Sequence, residues 1–208
     1  MTGLASRLLI VVTLTAWGGP VFAQTAQATQ TAPTAPTAPE DLAAIQAEAE
    51  SGDAKAQSRL GAYYSEGPDE SQDYAKARHW FQKATDQGDA TAQYRLGELY
   101  FDGDGGPVDP ARGEALMSAA AEQGLVRAQV DLAWRYRDAN QLAVDYGKSL
   151  RWFNAAAAQD DPKGQLGVGY AYSQGLGVPV DHVKAFEFFL KSGAAGAGQR
   201  RVQHGSLL

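Results

Sequence analysis

Gln57, Gln93, Gln129 and Gln165 stand 36 residues apart, and the residues between them recur in phase. Three residues after each come Leu60, Leu96, Leu132 and Val168. Seven after come Tyr64, Tyr100, Tyr136 and Tyr172, and sixteen after come Asp73, Asp109, Asp145 and Asp181. Lys76, Arg112, Lys148 and Lys184 follow, each next to a small residue: Ala77, Gly113, Ser149 and Ala185. Trp80, Leu116, Trp152 and Phe188, then Phe81, Met117, Phe153 and Phe189, complete the pattern. A fixed period of this length marks a stack of supersecondary units, none of which can bury its apolar face alone.

Each unit reads as two helices. Ala56, Leu60 and Tyr64 fall at i, i+4 and i+8, one face of a first helix. Asp53, Asp89 and Asp161 stand where that helix needs a cap, and Pro162 suits a first helical position. Repeat three has Leu125 at the capping place, so its start should be less well fixed. Gly61, Gly97 and Gly169 recur beside the apolar face. Glycine costs a helix interior about 1 kcal/mol relative to alanine, so another backbone is expected to pass close there. The second helix starts at the recurring aspartate, and Asp109-Pro110 is a cap followed by a first-turn proline. Ala77, Trp80, Phe81 and Ala84 then form a broad apolar stripe.

The expected fold is therefore all-α: a right-handed α-α superhelix, or solenoid, of four 36-residue helix-turn-helix repeats. The repeats span about 53–88, 89–124, 125–160 and 161–196. Residues 40–52, "EDLAAIQAEAESG", have the spacing of a second helix without its partner, and outward Gln and Glu suit an N-terminal capping helix. The glycine-rich end, residues 197–208, is expected to be an unstructured tail.

The stretch "AQYRLGELYFDGDG", residues 92–105, offers two aspartates among glycines and invites a metal or phosphate reading. The corresponding turns are "EGPDESQ", "DANQLAV" and "QGLGVPV", so the aspartate pair is private to repeat two. An EF-hand loop counted from Asp102 would need a glutamate where Gly113 stands. No Gly-Lys-Ser/Thr follows. An ordinary turn is expected, with a weak calcium site as the alternative.

The repeated residues resemble the Sel-one-like repeat (SLR), a cousin of the tetratricopeptide repeat. The matching parts are the A-x-x-x-L-G-x-x-Y first helix, the glycine-rich turn with its following aspartate, and the K-A-x-x-W-F/Y-x-x-A-A second helix. "GLGVPVDHVKAFEFFLKSGAAG", Gly175 to Gly196, matches best. Repeat three departs most: Ala133 replaces the glycine and "DANQLAV" the glycine-rich turn, so its packing should be looser or its turn rebuilt. The resemblance implies an adaptor that binds proteins or peptides, often in the bacterial envelope. Some secreted members carry a disulfide in each repeat; this chain has no cysteine, so activities of that branch do not transfer.

Residues 1–23 differ from the rest. Arg7 is their only charged side chain, "LLIVVTLTAW" is an apolar run, and "VFA" places small residues at Val21 and Ala23. That is the pattern of a secretory signal peptide cut after Ala23. The alternative is a retained anchor, although Leu8 to Phe22 falls short of the roughly 20 residues that span a bilayer. Export would place the protein in the periplasm or outside the cell. Residues 24–39, with three Thr-Ala-Pro units, read as an extended disordered linker, or as a ligand for a proline-reading partner.

Function has to come from the surface of the array. The net charge of −6 disfavours nucleic acid and anionic membranes. Cysteine chemistry is excluded, and neither His-Glu-x-x-His nor Gly-x-Ser-x-Gly occurs. His79, His182 and His204 occupy unrelated places. No catalytic, cofactor or metal residues are assigned, and an enzyme, such as a hydrolase, is a minor alternative. First helices usually line the concave side of such stacks. The candidate partner contacts there are Arg59, Tyr63, Tyr94, Arg95, Glu98, Trp134, Arg135 and Tyr170. Tyr, Trp and Arg are the types enriched at binding hot spots. Trp134 either touches a partner or fills space left by the altered repeat three, and Tyr63 and Tyr94 are equally readable as half-buried packing. The recurring tyrosines, Trp80 and Trp152 are expected in the core. Arg59, Arg95 and Arg135 would favour a partner with carboxylates. The competing reading is a structural subunit of an envelope assembly, joined through the convex second helices or the open ends.

Overall fold

The computed structural model describes residues 39–204, with side chains placed for 42–193 except Glu70. The proposed signal peptide and most of the linker lie outside the described residues. Those residues form nine α-helices and one short 3-10 turn, with no strand among them. α1 is Pro39–Ser51. Four helix pairs follow: α2 Ala54–Glu66 with α3 Tyr74–Asp86, and α4 Ala90–Asp102 with α5 Pro110–Glu122. Then come α6 Val126–Asp138 with α7 Tyr146–Ala157, and α8 Pro162–Gln174 with α9 His182–His204. Each helix packs on the one before and the one after. First helices of neighbouring pairs also touch directly, α2 with α4 and α6 with α8, which puts them on the inner side.

Every expected cap is made. The carboxylates of Asp53, Asp89 and Asp161 each accept from a backbone N–H three residues on, at 2.7 Å. Asp73, Asp109, Asp145 and Asp181 do the same for the second helices at 2.8–3.0 Å. α6 has no side-chain cap. Its Leu125 is instead 7% exposed and part of the main core cluster, so repeat three exchanges a capping bond for apolar burial.

The joint between the two helices of a pair is built the same way four times. The backbone N–H of the capping aspartate donates to the carbonyl of the recurring tyrosine: Asp73 to Tyr64, Asp109 to Tyr100, Asp145 to Tyr136 and Asp181 to Tyr172, at 2.8–3.0 Å. The cation three residues after the aspartate then lies over the ring of the same tyrosine. Lys76, Arg112, Lys148 and Lys184 sit 4.7–5.2 Å from the ring centroids. Only Tyr136 is fully buried; the other three rings are half-buried beneath their cations. Trp152 is in the core, whereas Trp80 is half-buried under Lys83.

The recurring glycines meet a large side chain first, and at Gly97 the close backbone that the sequence led one to expect as well. A Cβ at Gly61 would meet the Phe81 ring at 2.7 Å, one at Gly169 the Phe189 ring at 2.6 Å, and one at Gly97 the Met117 side chain at 2.8 Å. The notch receives the large side chain of the second helix. At Gly97 the backbone oxygen of Gly113 comes to 3.1 Å and the backbone nitrogen of Met117 to 3.4 Å.

The glycines of "DGDGG" have two jobs. Gly103 takes the left-handed conformation that closes α4, φ +81°. Gly105, φ +73°, lies so close to Tyr74 that a Cβ would stand 2.4 Å from its carbonyl. Arg78 of α3 holds this turn by donating to the carbonyls of Asp104, Leu99 and Pro107. Repeat three rebuilds its turn. Ala139 and Gln141 adopt positive φ, 54° and 66°, and the Gln141 side chain donates to the Phe101 carbonyl at 2.6 Å.

One expectation fails at the end of the chain. Residues 197–204 are helical, continuing α9 as a single 23-residue helix. Alanine and glycine fill residues 193–198, and Ala195-Gly196 stand where Gln87-Gly88, Gln123-Gly124 and Gln159-Asp160 end the other second helices.

Ala139 bears the strain of a left-handed residue with a Cβ, about 1 kcal/mol. Ala139→Gly is expected to raise the thermal midpoint by about 3 °C. Leu125→Asp would restore a cap worth about 1 kcal/mol but expose a buried leucine place worth about 2–3 kcal/mol. A lowered midpoint is expected, and differential scanning calorimetry reads both.

Candidate functional site

The inner side of repeats one to three carries a connected polar group. Tyr94 and Glu98 lie one turn apart on α4, so their side chains meet. The Tyr94 hydroxyl is 2.6 Å from Glu98 Oε1 and 2.5 Å from Asp131 Oδ2 on α6. Arg95 Nη1 donates to Glu98 Oε2 at 3.1 Å, and its Nη2 lies 2.6 Å from Glu66 Oε1 at the end of α2. Three repeats are tied together by one tyrosine and one arginine. An open cleft beside the group is lined by Ser65, Glu66, Tyr74, Arg95, Glu98, Leu99 and Asp102, with Phe81 at its base.

A phenol has one hydrogen, so Tyr94 cannot donate to both carboxylates. A second proton would complete the arrangement, and Glu98 Oε1 is placed to carry it. Burial raises its pKa above the ordinary carboxylate value, despite the opposing bonds from Tyr94 and Arg95. Burial, then the charges of Glu98 and Asp131, push the Tyr94 hydroxyl well above the usual phenol range, so it stays a donor. In the next repeat the sign is reversed. Glu114 accepts from the Tyr136 hydroxyl and from Lys148 Nζ at 3.2 Å. The tyrosine bond first, then Lys148, holds its pKa low, and burial raises that of Tyr136 to about 12.

The structure brings Tyr94, Arg95 and Glu98 together and leaves the other candidates apart. Tyr94 is only 2% exposed, which corrects its reading as a surface contact: its ring is core and only the hydroxyl reaches the polar group. Tyr63 is half-buried, edge-on to Tyr64 at 5.5 Å. Arg59 is half-buried on α2, with no ion pair among the described residues. Trp134, half-buried, meets Phe153 edge to face at 4.7 Å and carries Arg137 over its ring at 3.9 Å. Arg135 lies over Phe101 at 4.0 Å and donates to Gln141 at 2.8 Å. Tyr170 alone is well exposed, at 43%. The arginines expected to meet partner carboxylates are thus in part already engaged, Arg95 by Glu66 and Glu98 and Arg135 by Phe101 and Gln141.

Two acidic features escaped the candidate set. Asp131 occupies the repeat position of Arg59 and Arg95, a charge reversal visible in the sequence. Glu66, Asp102 and Asp138 recur at the last residue of α2, α4 and α6. A carboxylate there opposes the helix dipole, so helix formation gives no reason for it.

Burial gives Glu98 a defined pH signature. A carboxyl that binds its proton more tightly folded than unfolded supports the fold below its ordinary pKa. That support is lost as pH rises through the folded value. Glu98→Gln keeps an oxygen beside Tyr94 without a charge. Its denaturant midpoint relative to the parent should therefore increase between about pH 4 and pH 7. A difference that is flat or shrinks with pH would remove the buried-acid account.

The profile of the Sel1 repeat family matches residues 54–89, 90–125, 126–161 and 162–196. No curated protein matches. Among solved structures, a protective antigen of uropathogenic Escherichia coli strains, displaying an SLR fold, is 39% identical with a TM-score of 0.70. The match covers 74% of this chain and 33% of that one. A Sel1 repeat protein from Oxalobacter formigenes is 31% identical, TM-score 0.67, covering 79% of this chain and 49% of that one. The chain thus spans a third and about half of the lengths of these two relatives. Sel1 repeat proteins are typically protein-interaction scaffolds. Four matched repeats, nine helices in register and the shared fold place this chain in the Sel1 repeat family.

Proposed function

We propose that this chain is a non-catalytic adaptor that holds a segment of a protein partner against its inner face, and that the segment presents lysine or arginine. The row of carboxylates at the ends of α2, α4 and α6 carries the reading. Glu66 is paired with Arg95, and Asp138 with its neighbour Arg137. Asp102 lines the cleft and has no ion pair among the described residues. Glu98 and Asp131 add to the negative side. A cationic side chain entering beside Asp102 would meet Glu66 and Glu98 as well, a charge-assisted arrangement. The family's habit of serving as interaction scaffolds supports the same conclusion.

The signal-like residues 1–23 and the linker support export, so that the adaptor would work outside the cytoplasm, in the bacterial envelope, where capture of the partner would regulate an envelope process. A second reading, a structural subunit of an envelope assembly, draws support from apolar side chains exposed on α9.

A photocrosslinker at position 102 is expected to trap the partner in the envelope fraction, and one at position 83, on the outer side, is not. Glu66→Lys with Asp102→Lys should weaken capture at least about tenfold, while Lys83→Glu should not. Capture lost through outer-face variants instead would support the structural subunit, and substrate turnover without a partner would indicate an enzyme. Mass spectrometry of the exported chain should find Gln24 at its start; a membrane-held chain retaining Met1 would end the cleavage reading.

A further inference from the structure

Arg78, Glu114, Leu150 and Phe186 occupy one repeat position, 36 residues apart. In the first three repeats this side chain is half-buried. Arg78 bonds the carbonyls of Leu99, Asp104 and Pro107 in repeat two. Glu114 bonds Tyr136 and Lys148 of repeat three. Leu150 packs on the cluster that runs into repeat four at Val168. The position serves contact with the following unit. In repeat four it holds Phe186, 63% exposed, with Val183 at 72% and Leu190 at 58%. These three fall at i, i+3 and i+7, a single stripe along α9. Among the described residues the chain does not fold back over them. Repeats one to three turn at Gln87-Gly88, Gln123-Gly124 and Gln159-Asp160, whereas α9 passes the matching place as unbroken helix to His204.

We propose that this stripe is the interface of a two-fold symmetric dimer, with α9 of one copy antiparallel to α9 of a second. Three observations select a second copy in this arrangement. The stripe is self-complementary, since a two-fold axis near Phe186 lays Val183 of one helix beside Leu190 of the other. The charges agree with it. Lys184, Glu187 and Lys191 are exposed along one edge of the stripe. A two-fold operation keeps like edges adjacent and reverses their order, so each Lys184 faces the Glu187 of the second copy. Head-to-tail stacking finds no match. α1 at the other end exposes Ala43, Ala44, Gln46, Ala47, Glu48 and Glu50, too small and polar to cover a phenylalanine. The apolar area, roughly 350 Å² per copy, falls in the size range of the largest patch on an ordinary monomer, a class of patch that often serves binding. It is below the roughly 800 Å² per partner of a stable complex, so the dimer is expected to dissociate at micromolar concentrations.

Sedimentation equilibrium of the full chain from about 1 to 500 µM reads this directly. A monomer–dimer equilibrium is expected. Phe186→Glu alters an exposed side chain, so its circular dichroism and thermal midpoint should match the parent, while dimerisation weakens at least about tenfold. Lys184→Glu and Glu187→Lys should each weaken association, and the double exchange should recover it. A parent that stays monomeric at the highest concentration overturns the proposal, whether the face then takes a different protein, a lipid surface or nothing. A dimer indifferent to Phe186→Glu, or no recovery in the double exchange, also overturns it. None of these outcomes bears on the inner-face reading, which uses other residues.

Discussion

The hydrogen bond from each capping aspartate to the tyrosine carbonyl near the end of the preceding helix sets the rest of the structure. It costs nothing extra in chain, because the aspartate must already be there to cap the second helix. One residue thereby ends one helix and starts the next, using its N–H backward and its carboxylate forward. With the joint fixed, the second helix has one way to lie on the first. The notch at Gly61, Gly97 and Gly169 then decides how close it comes. The cation over the tyrosine ring follows from the same geometry: a residue three places into the second helix stands above the ring whose carbonyl is bonded beneath it. The recurring Lys or Arg, unexplained by helix propensity, thus belongs to the joint.

Much of this was legible because a repeat performs its own controls. A side chain seen four times in phase is separated from the accidents of any one copy. The caps, apolar stripes and turn glycines therefore read correctly at Asp73, Asp109, Asp145 and Asp181 and at Gly103. What repeats less was harder to read. Tyr94 reads from the sequence as either a contact or half-buried packing, because its position lies off the apolar stripe. Its ring is buried in the main core cluster, and its hydroxyl lies between Glu98 of α4 and Asp131 of α6, a placement that only the stacked repeats create. Trp134 belongs to the altered repeat three, and Phe153 with Arg137 accounts for its size. The helix beyond Gly196 was misread for a simpler reason: glycine was taken as a terminator where no stop follows it.

The private residues mark where function can lie. Repetition explains the joint, the notch and the core, and their residues are already engaged. Asp102 has no ion pair among the described residues, Tyr170 is exposed although its ring meets Phe189 edge-on, and Glu66 and Asp138 stand at helix ends where a negative charge is unfavourable. A scaffold that only had to stack would do better with lysine or arginine there. That these positions are acidic in three repeats, while Asp131 replaces the arginine of the earlier ones, shifts the inner side towards negative charge. The net charge of the whole chain points the same way without locating it.

The two ends of the array are treated differently, and the difference has a physical logic. α1 closes its end with alanine and with Gln46, Glu48 and Glu50, so water can meet it at little cost. α9 turns inward the side chains that pack on α8, Ala185 and Phe189 among them, yet leaves Val183, Phe186 and Leu190 outward. A solenoid is stabilised by interfaces between neighbours, and an end that keeps the apolar chemistry of an interior repeat retains the capacity for one more such interface. In the interior repeats the same position carries Arg78 or Glu114, which bond specific atoms of the next repeat, or Leu150, which packs on the shared core. Phe186 asks only for apolar cover and shape. Such a requirement is met most simply by a surface of the same kind, with the register supplied by Lys184 and Glu187 at its edge.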